Sequence, residues 1–303
     1  MAARPVQIVA AFATVYVVWG STYLAIRIGV EDLPPVLFAG VRFLIAAPLM
    51  FAYAWWRGAR LPRHLRDWWM IVVTALMMLV GANGLVTWSE QWIESNQAAL
   101  IVATSALWMA WFGTWGDRGE RLSALTLTGL LVGFVGVAVL VGTGLRLRDA
   151  PAAAYAALLL SPMLWAGGSV LARRHPLSVS PLMVAALQML VTGIVMTALG
   201  LALGEASRWT PTMASLAALV YLAVFGSCIA YGAYYWLVHQ VTPAQLGTYA
   251  YVNPAIAVLL GWWLLDEHMR PPQLVGTLVI LAGVALVTVA ARRGAAQPGR
   301  ERP

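Results

Sequence analysis

The sequence predicts an all-α membrane protein of ten transmembrane helices, arranged as two inverted five-helix repeats. Three observations predict it: apolar blocks of roughly 20 residues, arginines gathered between alternate blocks, and an alignment of the first half of the chain on the second. Of the 303 residues, 61% are hydrophobic and only 10% charged, where a soluble domain carries about 25% charged residues. Each block is long enough, as a helix, to cross ~30 Å of hydrocarbon. A soluble core of this composition would leave several hundred square ångströms of apolar surface in water, which excludes it.

The predicted spans are 6–28, 34–56, 68–90, 96–115, 123–143, 152–172, 180–203, 212–237, 244–264 and 272–291. Pro34/Pro35, Pro151, Pro181, Pro211, Pro243 and Pro271/Pro272 stand at or just before their starts, where a missing backbone N–H costs least. The first block follows a lone Arg4, as a signal peptide would, but no small-residue cleavage site follows it and it runs on to full span length. It is read as a retained first helix.

All 19 basic residues are Arg. With the N-terminus inside, cytoplasmic segments hold 13 of them (Arg4, Arg57, Arg60, Arg63, Arg66, Arg118, Arg121, Arg173, Arg174, Arg292, Arg293, Arg300 and Arg302). The opposite side holds five, Arg27, Arg146, Arg148, Arg208 and Arg270, and Arg42 lies within a span. The positive-inside rule therefore puts both termini in the cytoplasm. The 8–9 connection is the weakest point, marked on the inner side only by His239. No basic face recurs along a helix, so the net charge of +7 does not indicate a nucleic-acid partner. The bilayer and a small-molecule substrate are the expected partners.

The two halves align in three separate blocks. WGSTYLAIR (19–27) lies over WAGGSVLAR (165–173), and PVLFAGVRFLIA (35–46) over PLMVAALQMLVT (181–192), both offset by 146. The block from Gly119 lies over that from Asp266 at an offset of 147, matching Glu120 with Glu267, Gly129 with Gly276 and Gly136 with Gly283. Residues 1–146 and 147–293 are thus two repeats, followed by a cytoplasmic tail, 294–303. Five spans per repeat is an odd number, so the second repeat must enter the membrane upside down. Such inverted repeats close around a midplane site from either side, as alternating access requires.

Through WGSTYLAIR (19–27), PPVLFAGVRFLIA (34–46), YAYVNPAIAVLLGWWLLDEH (249–268) and QLVGTLVILAGVALV (273–287), the chain resembles the drug/metabolite transporter superfamily, specifically the ten-helix exporters with two EamA-type halves. The resemblance implies export of amino acids, related metabolites or drugs across a bacterial cytoplasmic membrane. An uptake carrier or a nucleotide-sugar-like antiporter of the same superfamily is the alternative, although a nucleotide sugar would need several cavity cations. Arg27 resembles the basic residue that follows the first-helix motif in the family. The Asn253-Pro254 pair usual in the fourth helix of a repeat has no counterpart in the first half, where Leu107-Trp108 stands. Trp108 is expected to narrow one side of the cavity.

No enzyme site is visible. Lys is absent, which excludes Schiff-base and Walker-type chemistry. The four His lie in loops or at helix ends without ligand spacing, so neither metal nor cofactor is expected. Cys228 cannot form an intrachain disulfide, being the one cysteine.

Arg42 is the one charge well inside a span, about 10 Å deep at 1.5 Å per residue. Burying it costs at least ~2.5–3.5 kcal/mol, so a partner is expected. A structural pair with Glu90, at a compatible depth, is the favoured reading, with a substrate carboxylate as the functional alternative. Its aligned residue is neutral Gln188. Glu90 is also the acidic residue best placed to carry a coupling proton, a role that a neighbouring guanidinium hinders. Facilitated diffusion and proton antiport both stay open.

The remaining candidate cavity residues are aromatic or polar: Trp19, Thr22, Tyr23, Asn83, Thr104, Trp108, Trp165, Tyr231, Tyr249 and Asn253. They place the cavity between spans 1, 3, 4, 6, 8 and 9. An apolar-aromatic pocket with a few hydrogen-bonding groups suits uncharged or zwitterionic solutes. Trp55, Trp56, Trp68 and Trp69 flank a basic loop and read as an interfacial belt. Gly129, Gly133 and Gly136, echoed by Gly276 and Gly283, form small-residue faces that serve either packing of the two repeats, the favoured use, or a homodimer.

Overall fold

The computed structural model describes residues 5–93, 95–116, 119, 121–142, 150–256 and 271–295, and among these the chain forms helices and connecting turns without a strand. In order they are α1 (Pro5–Asp32), α2 (Pro35–Trp56), α3 (Leu65–Ser89) and α4 (Ser95–Ala103 and Ser105–Gly113). Next come α5 (Ala124–Gly142), α6 (Ala152–Arg174), α7 (Pro181–Ala202) and α8 (Met213–Val238). The last are α9 (Pro243–Gly247, helical again over 249–256) and α10 (Pro271–Ala295). Residues 257–264 of the ninth predicted span lie outside the described residues. So do Arg4, Arg118, Arg146, Arg148, Arg270, Arg300 and Arg302 of the charge count, and Glu120, Asp266 and Glu267 of the third aligned block.

Among the described residues, seven helices are long and apolar enough to cross a membrane, and α4 and α5 contribute shorter apolar helices, Ala98–Gly113 and Ala124–Leu140. The chain is a multi-pass membrane protein. Its outer surface is paved with exposed aliphatic side chains such as Val9, Leu131, Leu159, Ile194 and Leu278. Trp55, Trp56 and Trp69 stand out at the end of the bundle that carries the Arg57–Arg66 loop, Trp56 being 77% exposed.

Helices aligned by sequence pack on each other in antiparallel pairs. Along α2 and α7 the close approaches run Leu37–Gly200, Gly40–Thr197 and Leu44–Gly193. Along α5 and α10 they run Gly129–Gly283 and Gly136–Gly276, antiparallel between aligned glycines. A Cβ at Gly283 would lie 2.5 Å from the Gly133 nitrogen and 2.7 Å from the Gly129 oxygen. These glycines pack the aligned helices on each other within the chain, the use the sequence favours for them.

Third helices of both halves contain a π-helical stretch at aligned positions, Leu76–Asn83 in α3 and Leu222–Tyr231 in α8. One extra residue per turn advances the side chains that follow around the helix, and such stretches gather at functional sites. Both fourth helices are interrupted by a threonine. Thr104 Oγ1 donates to the Ile101 carbonyl and Thr248 Oγ1 to the Gln245 carbonyl, each at 2.7 Å. Asn253-Pro254 lies within the helical stretch 249–256, beyond the interruption at Thr248.

α2 begins at Pro35 without a capping side chain of its own. Glu205, in the 3-10 turn Glu205–Arg208, supplies one from across the bundle, its Oε2 accepting from the Leu37 N–H at 2.6 Å. A carboxylate there both satisfies an orphan donor and complements the helix dipole.

Replacing Gly283 by leucine forces α5 and α10 apart. The expected result is a loss of about 1–3 kcal/mol or more, the usual range for overpacking, read as a lower thermal midpoint of the detergent-solubilised protein. An unchanged midpoint would mean that the backbones are not in contact.

Candidate binding cavity

A cavity of about 80 Å³ opens inside the bundle, room for several waters or a small solute. α1, α2, α3, α4, α6, α8 and α9 all reach it. It lies toward the end where α1 finishes and α2 begins, since α1 lines it with Trp19, Thr22, Tyr23 and Ile26 and α2 with Arg42 and Phe43. Asn83 and Val86 of α3, Ser161 and Trp165 of α6, Ser227 and Tyr231 of α8, and Tyr249 and Asn253 of α9 complete the wall.

Aromatic rings close the opposite side. Trp19 meets Trp165 edge-on at 5.4 Å between centroids, Tyr249 at 5.1 Å and Tyr234 at 5.0 Å. Tyr234 is the hub: its hydroxyl accepts from Trp165 Nε1 at 2.9 Å and pairs with Ser169 Oγ at 2.7 Å. Edge-to-face geometry at these separations is the favoured one for aromatic pairs. The cluster joins α1, α6, α8 and α9 in a plug between the cavity and the Arg-rich end.

Arg42 is 5% exposed and reaches the cavity from α2. Its Nε donates to Ser227 Oγ at 2.9 Å, and Ser227 Oγ in turn donates to the Leu222 carbonyl at 3.0 Å. That carbonyl lies five residues back, so the π stretch orients the serine that orients the arginine. The guanidinium also lies 4.9 Å from the Phe43 ring. Among the described residues no carboxylate lies within 4.0 Å of Arg42, which corrects the expected pair with Glu90. The carbonyl of Glu90 is held by Arg27 Nη1 at 2.8 Å instead. Two further polar atoms on the wall, Asn83 Oδ1 and Asn253 Oδ1, are buried without a hydrogen-bond partner.

Nine of the twelve candidate residues line the cavity: Trp19, Thr22, Tyr23, Arg42, Asn83, Trp165, Tyr231, Tyr249 and Asn253. Glu90, Thr104 and Trp108 do not. Thr104 caps the break in α4, and Trp108 packs on Trp111 and Phe112 at 5.4 and 5.8 Å, so it does not narrow the cavity as expected. Span 2, left out of the expected wall, supplies Arg42 and Phe43. Tyr234 was missed although it lies three residues from Tyr231, a spacing that shares a helix face.

Arg173 and Arg27, aligned residues, do the same thing at opposite ends. Arg173 Nη1 donates to the Val238 carbonyl at 3.0 Å and to that of Val241, at the end of α8, as Arg27 does at the end of α3. Arg174 adds bonds to the carbonyls of Phe112, Gly113 and Trp115, tying α6 to α4. Burial, and then the Arg173 charge, push His239 below its ordinary value. His239 is therefore neutral at pH 7, and the 8–9 connection carries no positive mark of its own.

A profile of the EamA-like transporter family matches residues 7–142 and again 152–289. The chain belongs to this family. Among its EamA-like relatives, an Escherichia coli K12 protein described as an uncharacterized inner membrane transporter, YedA, is 38% identical over 280 residues, covering 92% of this chain and 90% of its own. A Bacillus subtilis protein described as an uncharacterized transporter, YoaV, is 21% identical over 294 residues, covering 93% and 97%. The fold is shared with a protein crystal structure at a TM-score of 0.81 and 24% identity, covering 96% of this chain and 99% of that one.

In this EamA-like chain, Tyr234→Phe removes the hydroxyl shared by Trp165 and Ser169. The Trp165 N–H is left unpaired, while Ser169 Oγ keeps its bond to the Trp165 carbonyl, for an expected loss of about 1–3 kcal/mol, measured by thermal unfolding in detergent. The tryptophan emission is expected to shift as Trp165 loses its acceptor.

Proposed function

We propose that this protein is a secondary transporter of the bacterial inner membrane that exports small zwitterionic metabolites, amino acids foremost, by alternating access. The observation that carries the reading is the pairing, in one aromatic cavity, of a buried guanidinium without a carboxylate partner and two amide oxygens without donors. A charge left so far out of water is costly unless a partner meets it. An amino acid brings the complement. Its carboxylate takes the two free edges of the Arg42 fork, a geometry that guanidinium groups favour. Its ammonium takes the Asn83 and Asn253 oxygens and the faces of the aromatic rings.

Alternating access follows from the arrangement of the helices. Aligned pairs packed antiparallel are what two inverted repeats produce, and the aromatic plug stands between the cavity and the Arg-rich end as the Arg27 bond to the Glu90 carbonyl stands at the other. In this reading the Arg-rich end is cytoplasmic, as 13 arginines against five and the exposed tryptophans beside them support. Relatives named as inner membrane transporters agree with the location. Export then requires the plug at Trp19, Trp165, Tyr234 and Tyr249 and the Arg27 end to open in turn, each while the other is shut.

Proteoliposomes loaded with a mixed amino-acid pool test this. Selective loss of some members, absent from empty liposomes, is expected. Arg42→Gln should raise the KM for those members about 10- to 100-fold, the cost of one charge-assisted hydrogen-bonded contact. Arg42→Lys recovers only part, having the charge without the fork. If no amino acid leaves, or if Arg42→Gln exports as the parent does, the reading fails.

A further inference from the structure

One titratable group of this bundle is used by nothing described so far. Glu90, at the end of α3, is 0% exposed, and both of its carboxyl oxygens are buried without a hydrogen-bond partner. The other two buried acids among the described residues differ: Asp67 accepts from Ser178 Oγ, and Glu205 from the Leu37 N–H. A carboxylate without a donor has lost its hydration and gained nothing for it. Such a group is kept in a membrane protein for a reason, commonly the movement of a proton.

Position supports that use. Glu90 stands two turns beyond Asn83 and one beyond Val86, both on the cavity wall, so one face of α3 leads from cavity to carboxyl. Nearest Glu90 among the described titratable groups are Arg27, Tyr23 and Glu31 of α1, Tyr155 of α6 and Tyr249 of α9; Asp32 and Glu205 of this end are bound to Thr212 and the Leu37 N–H, Arg208 pairs with Glu205, and Arg42 of α2 is bound to Ser227. Arg27 is the nearest cation, yet its Nη1 is on the Glu90 carbonyl and its Nε is 3.9 Å from Glu31. The carboxyl is thus sealed in without an ion-pair partner. At the matching end of α8 the sequence reads Trp236-Leu237-Val238, without an acid. Only one mouth of the cavity carries the group.

Building on the transport reading above, we propose that Glu90 is the proton-carrying group of this transporter. Opening of its end breaks the Arg27 bond to the Glu90 carbonyl, admits water and lets the proton exchange with that side. Closure seals the protonated acid in, and the proton travels with the conformational change against the substrate. One proton binds and one leaves per cycle.

Two measurements separate this proposal from the transport reading. Dicyclohexylcarbodiimide modifies protonated carboxyls in apolar surroundings. Peptide mapping of the wild-type protein should find Glu90 labelled at acid pH and progressively spared as pH rises. This needs no substrate, so it judges the proton site even if no amino acid is moved; Glu90 left unlabelled at every pH overturns the proposal. In proteoliposomes holding the amino-acid mixture on both sides, one pH unit, acid outside, is worth about tenfold in concentration for one proton. Wild type should deplete the lumen toward that ratio. Glu90→Gln should lose the depletion relative to exchange, and Glu90→Asp should restore part of it. Depletion by Glu90→Gln equal to wild type, or wild-type exchange indifferent to the gradient, overturns the proposal.

Discussion

Everything in this molecule hangs from two places where helix backbones touch. In hydrocarbon there is no hydrophobic force to draw helices together, so close van der Waals approach has to do it. Glycines along α5 and α10, and along α2 and α7, allow that approach, and they do so between aligned helices of the two halves. With these pairs fixed, α1, α3, α6 and α8 are left between them. Those four helices carry most of the wall of the cavity.

The cavity keeps its polar groups in order through departures from regular helix. Two π stretches at aligned positions free a carbonyl each time they add a residue. In α8 the freed Leu222 carbonyl is taken by Ser227, which then accepts from Arg42. A buried cation is thereby held by a neutral hydroxyl and an aromatic ring while its remaining donors stay available. The aligned residue in the other half, Gln188, is instead satisfied on both sides, giving to Thr74 and accepting from Tyr231. The pseudo-symmetry of the scaffold is broken where the chemistry is.

Much of the cavity was legible because the relevant residues are odd in their setting. Arg42 is the charge within an apolar block, Trp19 and Trp165 are aligned tryptophans, and Asn83 and Asn253 are amides where aliphatics would serve. Partners were not legible. Depth alone matched Arg42 with Glu90, but depth does not say which way around the helix axis a side chain points. The tertiary contacts decide it: Glu90 gives its carbonyl to Arg27 and its carboxyl to no cation, and Tyr234 sits against both Trp19 and Trp165. Trp108 failed for the same reason: it packs on Trp111 and Phe112, three and four residues on along its own helix, and does not reach the cavity wall.

What the sequence determined by itself was the solvent and the scale: blocks of the length of a bilayer, in two alignable halves, with arginines gathered between them. Those are properties of composition and period, and hydrocarbon enforces them because each span must satisfy its own backbone hydrogen bonds. Only the tertiary structure decided which groups meet. Arg27 and Arg173 cap helix ends far along the chain, Glu205 caps α2 from across the bundle, and Glu90 is shut away from the cation expected to neutralise it. Pairings of this kind depend on helix rotation and on carbonyls freed by local irregularity, and neither is written in the apolar pattern.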